Sequence, residues 1–192
     1  MMRFAYNWAL NVASHPYALW ILAAVSFLES SVFPIPPDLI MIPMILAVPR
    51  KAFIIAGVCL VSSVAGGLLG YYIGFGLYEQ VGRPVLQFLG KEQYFDTFSE
   101  RYNEYGAWAV LFAGLTPFPY KVITILSGAT GLSLTVFLVS SIVARGARFF
   151  LVAALLWKFG DPIRTLIEKR LGMMFALFLV LLAAGFYGVR LL

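Results

Sequence analysis

Three stretches of the chain, about residues 53–78, 134–158 and 172–191, stay apolar for as long as a helix needs to cross a lipid bilayer, about 20 residues. In hydrocarbon the backbone must satisfy its own hydrogen bonds, so such runs fold as spanning helices. The composition agrees: 61% of the 192 residues are hydrophobic and only 12% are charged, with a mean hydropathy of +0.89. That is too little polar surface to clothe a soluble globule, and an all-α integral membrane protein is expected.

Two further apolar stretches, 17–48 and 107–131, are each split near the middle by prolines. The first break lies in "FPIPPDLIMIP" (33–43) and the second in "TPFPYKVI" (116–123). Proline removes a backbone donor and clashes with the preceding turn, yet it suits the first turn of a helix, where the missing N–H is an orphan anyway. Pro34 is therefore expected to end an entering half-helix, with Pro36 and Pro37 starting the returning one. Pro117 and Pro119 repeat the device in the second stretch. Neither half is long enough to span, so both stretches read as re-entrant helical hairpins, a kinked spanning helix being the alternative.

A shift of 83 residues lays Pro34, Pro36, Asp38 and Ile40 over Pro117, Pro119, Lys121 and Ile123. With the offset reduced to 78, Ser62 and Ser63 fall on Ser140 and Ser141, and "VGRP" (81–84) falls on "FGDP" (159–162). Each unit is then a proline-broken hairpin, a span and a Gly-x-Pro stop. With one span between them the hairpins enter from opposite faces, the plan of two inverted repeats. The expected single transmembrane domain (1–192) comprises repeat one (about 20–84), an interfacial linker helix (about 85–106), repeat two (about 107–162) and an additional C-terminal transmembrane helix (about 172–191). The linker contains "YFDTFSERYNEYGAW", whose Phe95, Phe98, Tyr102 and Tyr105 recur at helical spacing while Asp96, Glu100 and Glu104 turn elsewhere.

The N-terminus and residues 158–171 share one side, which holds Arg3, Arg50, Lys51, Lys158, Arg164, Lys169 and Arg170. The positive-inside bias places that side, and the N-terminus, in the cytoplasm of a bacterial inner membrane crossed several times. The basic residues form no stripe interleaved with aromatics, so nucleic acid is not expected, and anionic headgroups are the natural counterions for the net charge of +5. No cleaved signal peptide is expected at the N-terminus. Cys59 stands alone in an apolar run, which gives a buried inert thiol. His15, the one histidine, has no partner at metal-ligand spacing, so neither a metal nor another cofactor is expected.

Glu29, Asp38, Lys121, Arg145 and Arg148 all fall at membrane depth. Each would cost roughly 2.5–3.5 kcal/mol at a bilayer centre, so pairing or water must offset them and function is the default reading. Arg145 and Arg148, three apart, share a helix face; their counterparts at the offset of 78 are Gly67 and Gly70. Ser62, Gly66, Gly70 and Gly74 form a small-residue stripe suited to close helix packing. Three cations against two carboxylates, with two helix N-termini converging on them, suit an anion such as a phosphate headgroup. Asp38, Lys121, Arg145 and Arg148 are the candidate substrate-binding residues, and Glu29 and Asp38 the candidate proton-coupling ones. A static Asp38–Lys121 ion pair is the structural alternative.

On "FLESSVFPIPPDLIMIP" (27–43), "VAGGLLGYYIG" (64–74) and "GLTPFPYKVITILSGATGLS" (114–133) the chain resembles the DedA family of membrane proteins, in particular its short YqaA-like branch. The resemblance implies two opposed re-entrant hairpins and a lipid transporter or scramblase, moving phospholipid or a polyprenyl phosphate with coupling to the proton gradient. It implies acidic functional positions at Glu29 and Asp38 and, most nearly, the family's essential arginine at Lys121. Relatives carry two arginines flanking the second break, where this chain has Gly114 and Lys121. The expected function is thus a flippase or scramblase for an anionic lipid or lipid-linked phosphate, and not an enzyme. Membrane lipids and protons are its partners, and a homo-oligomer is open. A structural or assembly protein is the first alternative, an intramembrane lipid-modifying enzyme the second.

Overall fold

The computed structural model describes residues 17–32, 36–90, 92–116, 119–160 and 162. His15, Pro34, Pro117 and the expected helix at 172–191 lie outside them. The described residues form helices without strands: α1 (Ala18–Ser31), α2 (Asp38–Ala47), a 3-10 turn (Pro49–Lys51), α3 (Ala52–Leu77), a π turn (Tyr78–Gly82), α4 (Arg83–Phe88), α5 (Glu92–Leu115), α6 (Tyr120–Ala129) and α7 (Leu134–Gly160).

The helices break at the two clusters of prolines, whereas the single Pro43 lies inside α2. Pro37 caps the start of α2 with helical φ and ψ, and its carbonyl already accepts the amides of Ile40 and Met41. Pro119, with extended backbone, caps α6 in the same way, its carbonyl taking the Val122 amide. Both helices that follow a break have 10 residues. At 1.5 Å per residue each is about 15 Å long, half the thickness of a hydrocarbon core. α6 ends at Gly131, whose φ of +66° only glycine adopts without strain. There the amide of Leu132 reaches back to Ser127 and that of Gly131 to Gly128, which closes the helix and launches α7.

Pairwise contacts fix the helix directions. Phe53 stacks on Phe150 and touches Trp157, Leu60 lies against Gly146, and Tyr71 meets Phe137, so α3 and α7 run antiparallel. α1 runs beside α3 in the same direction, Ser26 meeting Cys59 and Ser30 meeting Ser63. α2 follows α7, with Asp38 at Arg148 and Leu46 at Gly160, and therefore returns against α1. In the other half α5 runs with α7, through Gly106 at Leu132 and Gly114 at Ala144. α6 runs with α3, Tyr120 lying by Gly67 and Ile125 by Gly74, so it returns against α5. Both turning points fall level with Ser63, Arg145 and Arg148, midway along α3 and α7.

Glycines make this packing possible. A Cβ on Gly66 would stand 2.1 Å from the Phe27 carbonyl oxygen, and one on Gly74 1.9 Å from that of Ile125, far inside contact distance. The small-residue stripe on α3 is thus occupied by the backbones of α1 and α6. One apolar core joins α1, α2 and the start of α3 to the end of α7; it includes Leu22, Ile40, Met41, Ile45, Cys59 and Phe149. A second joins α5, α6 and the start of α7 to Tyr71 near the far end of α3.

Among the described residues, Pro49–Phe88 and Leu134–Gly160 are long and apolar enough to cross a membrane. Only 39% of the most apolar window of each is buried, whereas a core helix of a soluble protein would be covered almost entirely. The expected helix stop at Gly82–Pro84 does not occur: the helix continues to Phe88. Pro84 lacks the amide an α-helix would need there, and the preceding π turn shifts the hydrogen-bond ladder so that proline falls in the first turn of α4. The linker helix likewise does not end near 106. It begins at Glu92 and runs unbroken to Leu115, becoming the helix that precedes the second break. Its Phe95, Phe98 and Tyr102 stack in sequence against Tyr78, whereas Tyr105 is exposed.

Candidate functional site

Breaking a helix leaves its last carbonyls without partners, and at each break here side chains of α6 or α7 take them up. At the end of α1 the Ser30 carbonyl accepts the Thr124 hydroxyl (3.1 Å) and the Val32 carbonyl accepts Lys121 Nζ (3.3 Å). At the end of α5 the Thr116 carbonyl accepts Arg148 Nη1 at 3.3 Å. Cations thus sit at the negative, C-terminal ends of α1 and α5, and Asp38 occupies the first turn of α2, the positive end. Residues of α6 and α7 thus hold the ends of both α1 and α5.

Arg145, fully buried on α7, is held on every side. Its Nε donates to Ser63 Oγ at 2.6 Å and its Nη2 to Ser30 Oγ at 3.2 Å and to the Glu29 carboxylate. The Ser30 hydroxyl donates to Glu29, so the 2.7 Å contact between Ser30 and Ser63 is a donation from Ser63. The guanidinium carbon lies 4.6 Å from the centroid of the Tyr120 ring and 4.9 Å from that of Phe149, a cation sandwiched between aromatic faces. Tyr120, itself buried, anchors its hydroxyl on Ser141. Glu29, Ser30, Ser63, Tyr120, Ser141 and Arg145 therefore form one network drawn from α1, α3, α6 and α7.

One turn further along α7, Arg148 makes a looser pair. Its Nη2 meets Asp38 Oδ2 at 2.6 Å, and the two side chains are 22% and 19% exposed, against 1% for Arg145. The structure assigns the partners differently from the Asp38–Lys121 pair weighed on sequence. Helix α6 aims Lys121 at the carbonyl of Val32, while the direction of α2 along α7 carries Asp38 to Arg148. The candidate residues Glu29, Asp38, Lys121, Arg145 and Arg148 do converge on the two breaks, with Pro36, Pro37 and Pro119 framing them. Sequence reasoning did not single out Ser30, Tyr120, Thr124 or Phe149, which fix the cations in place. The hydroxyl of Thr116 is buried and has no hydrogen-bond partner among the described residues.

Comparison with known proteins accounts for this architecture. The VTT domain family model, that of the DedA proteins, matches residues 35–158, from the first break through α7, and the chain belongs to that family. The chain is thus a membrane protein of a family associated with transport. It is 36% identical over 167 residues to an uncharacterized protein of Haemophilus influenzae, covering 85% of this chain and 86% of that one. An uncharacterized protein of Histophilus somni is 35% identical over the same length, with 85% and 87% covered. No solved structure matches the chain.

Proposed function

We propose that the protein is a flippase or scramblase for an anionic lipid, built from two inverted repeats whose proline-broken hairpins enter the bilayer from opposite faces and meet at its midplane. The carrying observation is the meeting of the two breaks midway along α3 and α7, where three cations face two carboxylates and Lys121, among the described residues, has only a carbonyl for a partner. A site with one cation in excess attracts an anion, and its position suits a headgroup in transit between leaflets. The hairpin reading is supported by the antiparallel return of α2 and α6 and by their 10-residue lengths. The repeat reading is supported by Gly66 and Ala144, equivalent at the offset of 78, which each receive the helix preceding their break. Arg50, Lys51 and Lys158 gather at the end of the molecule marked by Phe53 and Trp157, which supports a cytoplasmic location for that end.

Catalysis on the lipid fits less well, because each carboxylate is held by a guanidinium and neither is left as a base for water. Proton coupling resides in the same two acids, each of which must part from its arginine to take a proton. Reconstitution in liposomes with headgroup-labelled lipid, with and without a pH gradient, tests the reading. Glu29→Gln and Asp38→Asn should abolish gradient-driven movement in proteins that still insert. Equal movement by wild type and both variants sinks the coupling, and no movement of any anionic lipid sinks the transport reading.

A further inference from the structure

We propose that the phosphate of the substrate and the carboxylate of Asp38 compete for one guanidinium, that of Arg148, so that arrival of the anion releases Asp38. This rests on the reading of the midplane site as an anion site, and it divides the labour between two arginines that sequence alone treats as equivalent. Arg145 is unsuited to a ligand: an anion would have to displace Glu29, separate Arg145 from Ser30 and Ser63, and reach between two rings. It positions the elements around the site.

Arg148 is different on each count. It is 22% exposed, lies against no ring among the described residues, and spends one nitrogen on Asp38 and another on a carbonyl. A guanidinium that is partly exposed can exchange partners more readily than the sealed one of Arg145, and its planar fork matches two phosphate oxygens as well as it matches a carboxylate. Two donors accompany it. Lys121 holds the carbonyl of Val32, at the same break that Asp38 follows, and the buried hydroxyl of Thr116 lacks an acceptor although its own carbonyl binds Arg148. An anion on Arg148 therefore gains the fork, a hydroxyl donor and an ammonium, and in exchange leaves Asp38 without its cation. Substrate binding and release of the acid become one event.

The consequence is opposite to that of a carboxylate that simply shapes the site. In calorimetric titrations of the purified full-length protein with dodecyl phosphate and with inorganic phosphate, Asp38→Asn should bind dodecyl phosphate about fivefold more tightly than wild type, since the competitor is gone. Arg148→Gln should lose the binding. Asp96→Asn, which changes net charge equally on the exposed face of α5, should match wild type, and Asp38→Ala should tighten as the asparagine variant does.

Unchanged or weaker binding in folded Asp38 variants overturns the competition while leaving the anion site standing. Failure of both Asp38 variants to fold also overturns it, because a carboxylate whose loss unfolds the protein is not one a ligand can release. If wild type binds neither probe, the anion site itself falls and the inference with it. Tightening toward dodecyl phosphate alone identifies a lipid headgroup as the ligand; equal tightening toward both probes supports the competition with free phosphate as its source.

Discussion

The two ion pairs at the breaks use the same chemistry in different surroundings. The Arg145 guanidinium of the Glu29 pair is sealed among serine hydroxyls and aromatic faces, whereas Asp38–Arg148 is partly exposed and, among the described residues, anchored by the Thr116 carbonyl alone. Burial multiplies the cost of an unpaired charge, so removing Arg145 strains the fold and Glu29 can part from it only by taking up a proton. The open pair can exchange partners. The proposed transport would use both: a fixed joint between the helices and a contact that gives way to the cargo.

The largest effect should come from removing the sealed cation. Arg145→Met leaves Glu29 14% exposed with no cation and strips Ser30 and Ser63 of a donor, a loss of about 3–5 kcal/mol. Thermal unfolding in detergent should show a collapsed midpoint or no folded protein at all. Arg145→Lys should rescue little, since a single ammonium cannot serve Ser63 and Glu29 together. If Arg145→Met and Arg148→Met cost the same, the distinction between joint and contact is wrong.

Next in size is the packing that sets the two pairs at one level. Gly74→Ala forces a methyl into the backbone of α6 at Ile125 and should cost about 1–3 kcal/mol, while Gly57→Ala, with open space around it, should be neutral or mildly stabilising. Equal unfolding midpoints for the two variants would show that α6 does not bear on α3 as closely as described. Of similar size is the loss of the open pair: Arg148→Met leaves Asp38 without its guanidinium and should cost about 2 kcal/mol in stability, less than Arg145→Met, yet remove lipid movement in liposomes.

What the sequence made legible follows from where the information is local. The breaks at 32–37 and 116–119 could be placed because prolines clustered within four residues remove several backbone donors at once. The gathering of five charges could be anticipated because hydrocarbon tolerates none alone. Which acid meets which base depends on helix direction and rotation. Thus Asp38 goes to Arg148, although the repeat aligns it with Lys121. Ser30 and Tyr120 were overlooked for a related reason: serine and tyrosine are ordinary in apolar helices, and only the approach of Arg145 gives them a role. Pro84 was misread as a stop because a π turn upstream can absorb the missing donor, a remedy with no signature in the sequence. The paired contacts of Gly66 with Phe27 and of Ala144 with Gly114 likewise depend on helix direction, which no single helix discloses.

The smallest structural effect should belong to Lys121, and it sharpens the contrast from the other direction. Its ammonium makes one hydrogen bond, to the Val32 carbonyl, and no carboxylate lies within salt-bridge distance among the described residues. Lys121→Gln keeps a donor of similar reach, so stability should stay within about 0.5 kcal/mol of wild type. Movement of an anionic lipid should nevertheless fall, because the excess positive charge of the site disappears while both ion pairs persist. Lys121→Arg should keep that charge and with it most of the movement. A Lys121→Gln protein that is as stable as wild type and moves labelled lipid at the wild-type rate would show that the open pair alone meets the cargo, with Lys121 serving only to cap α1.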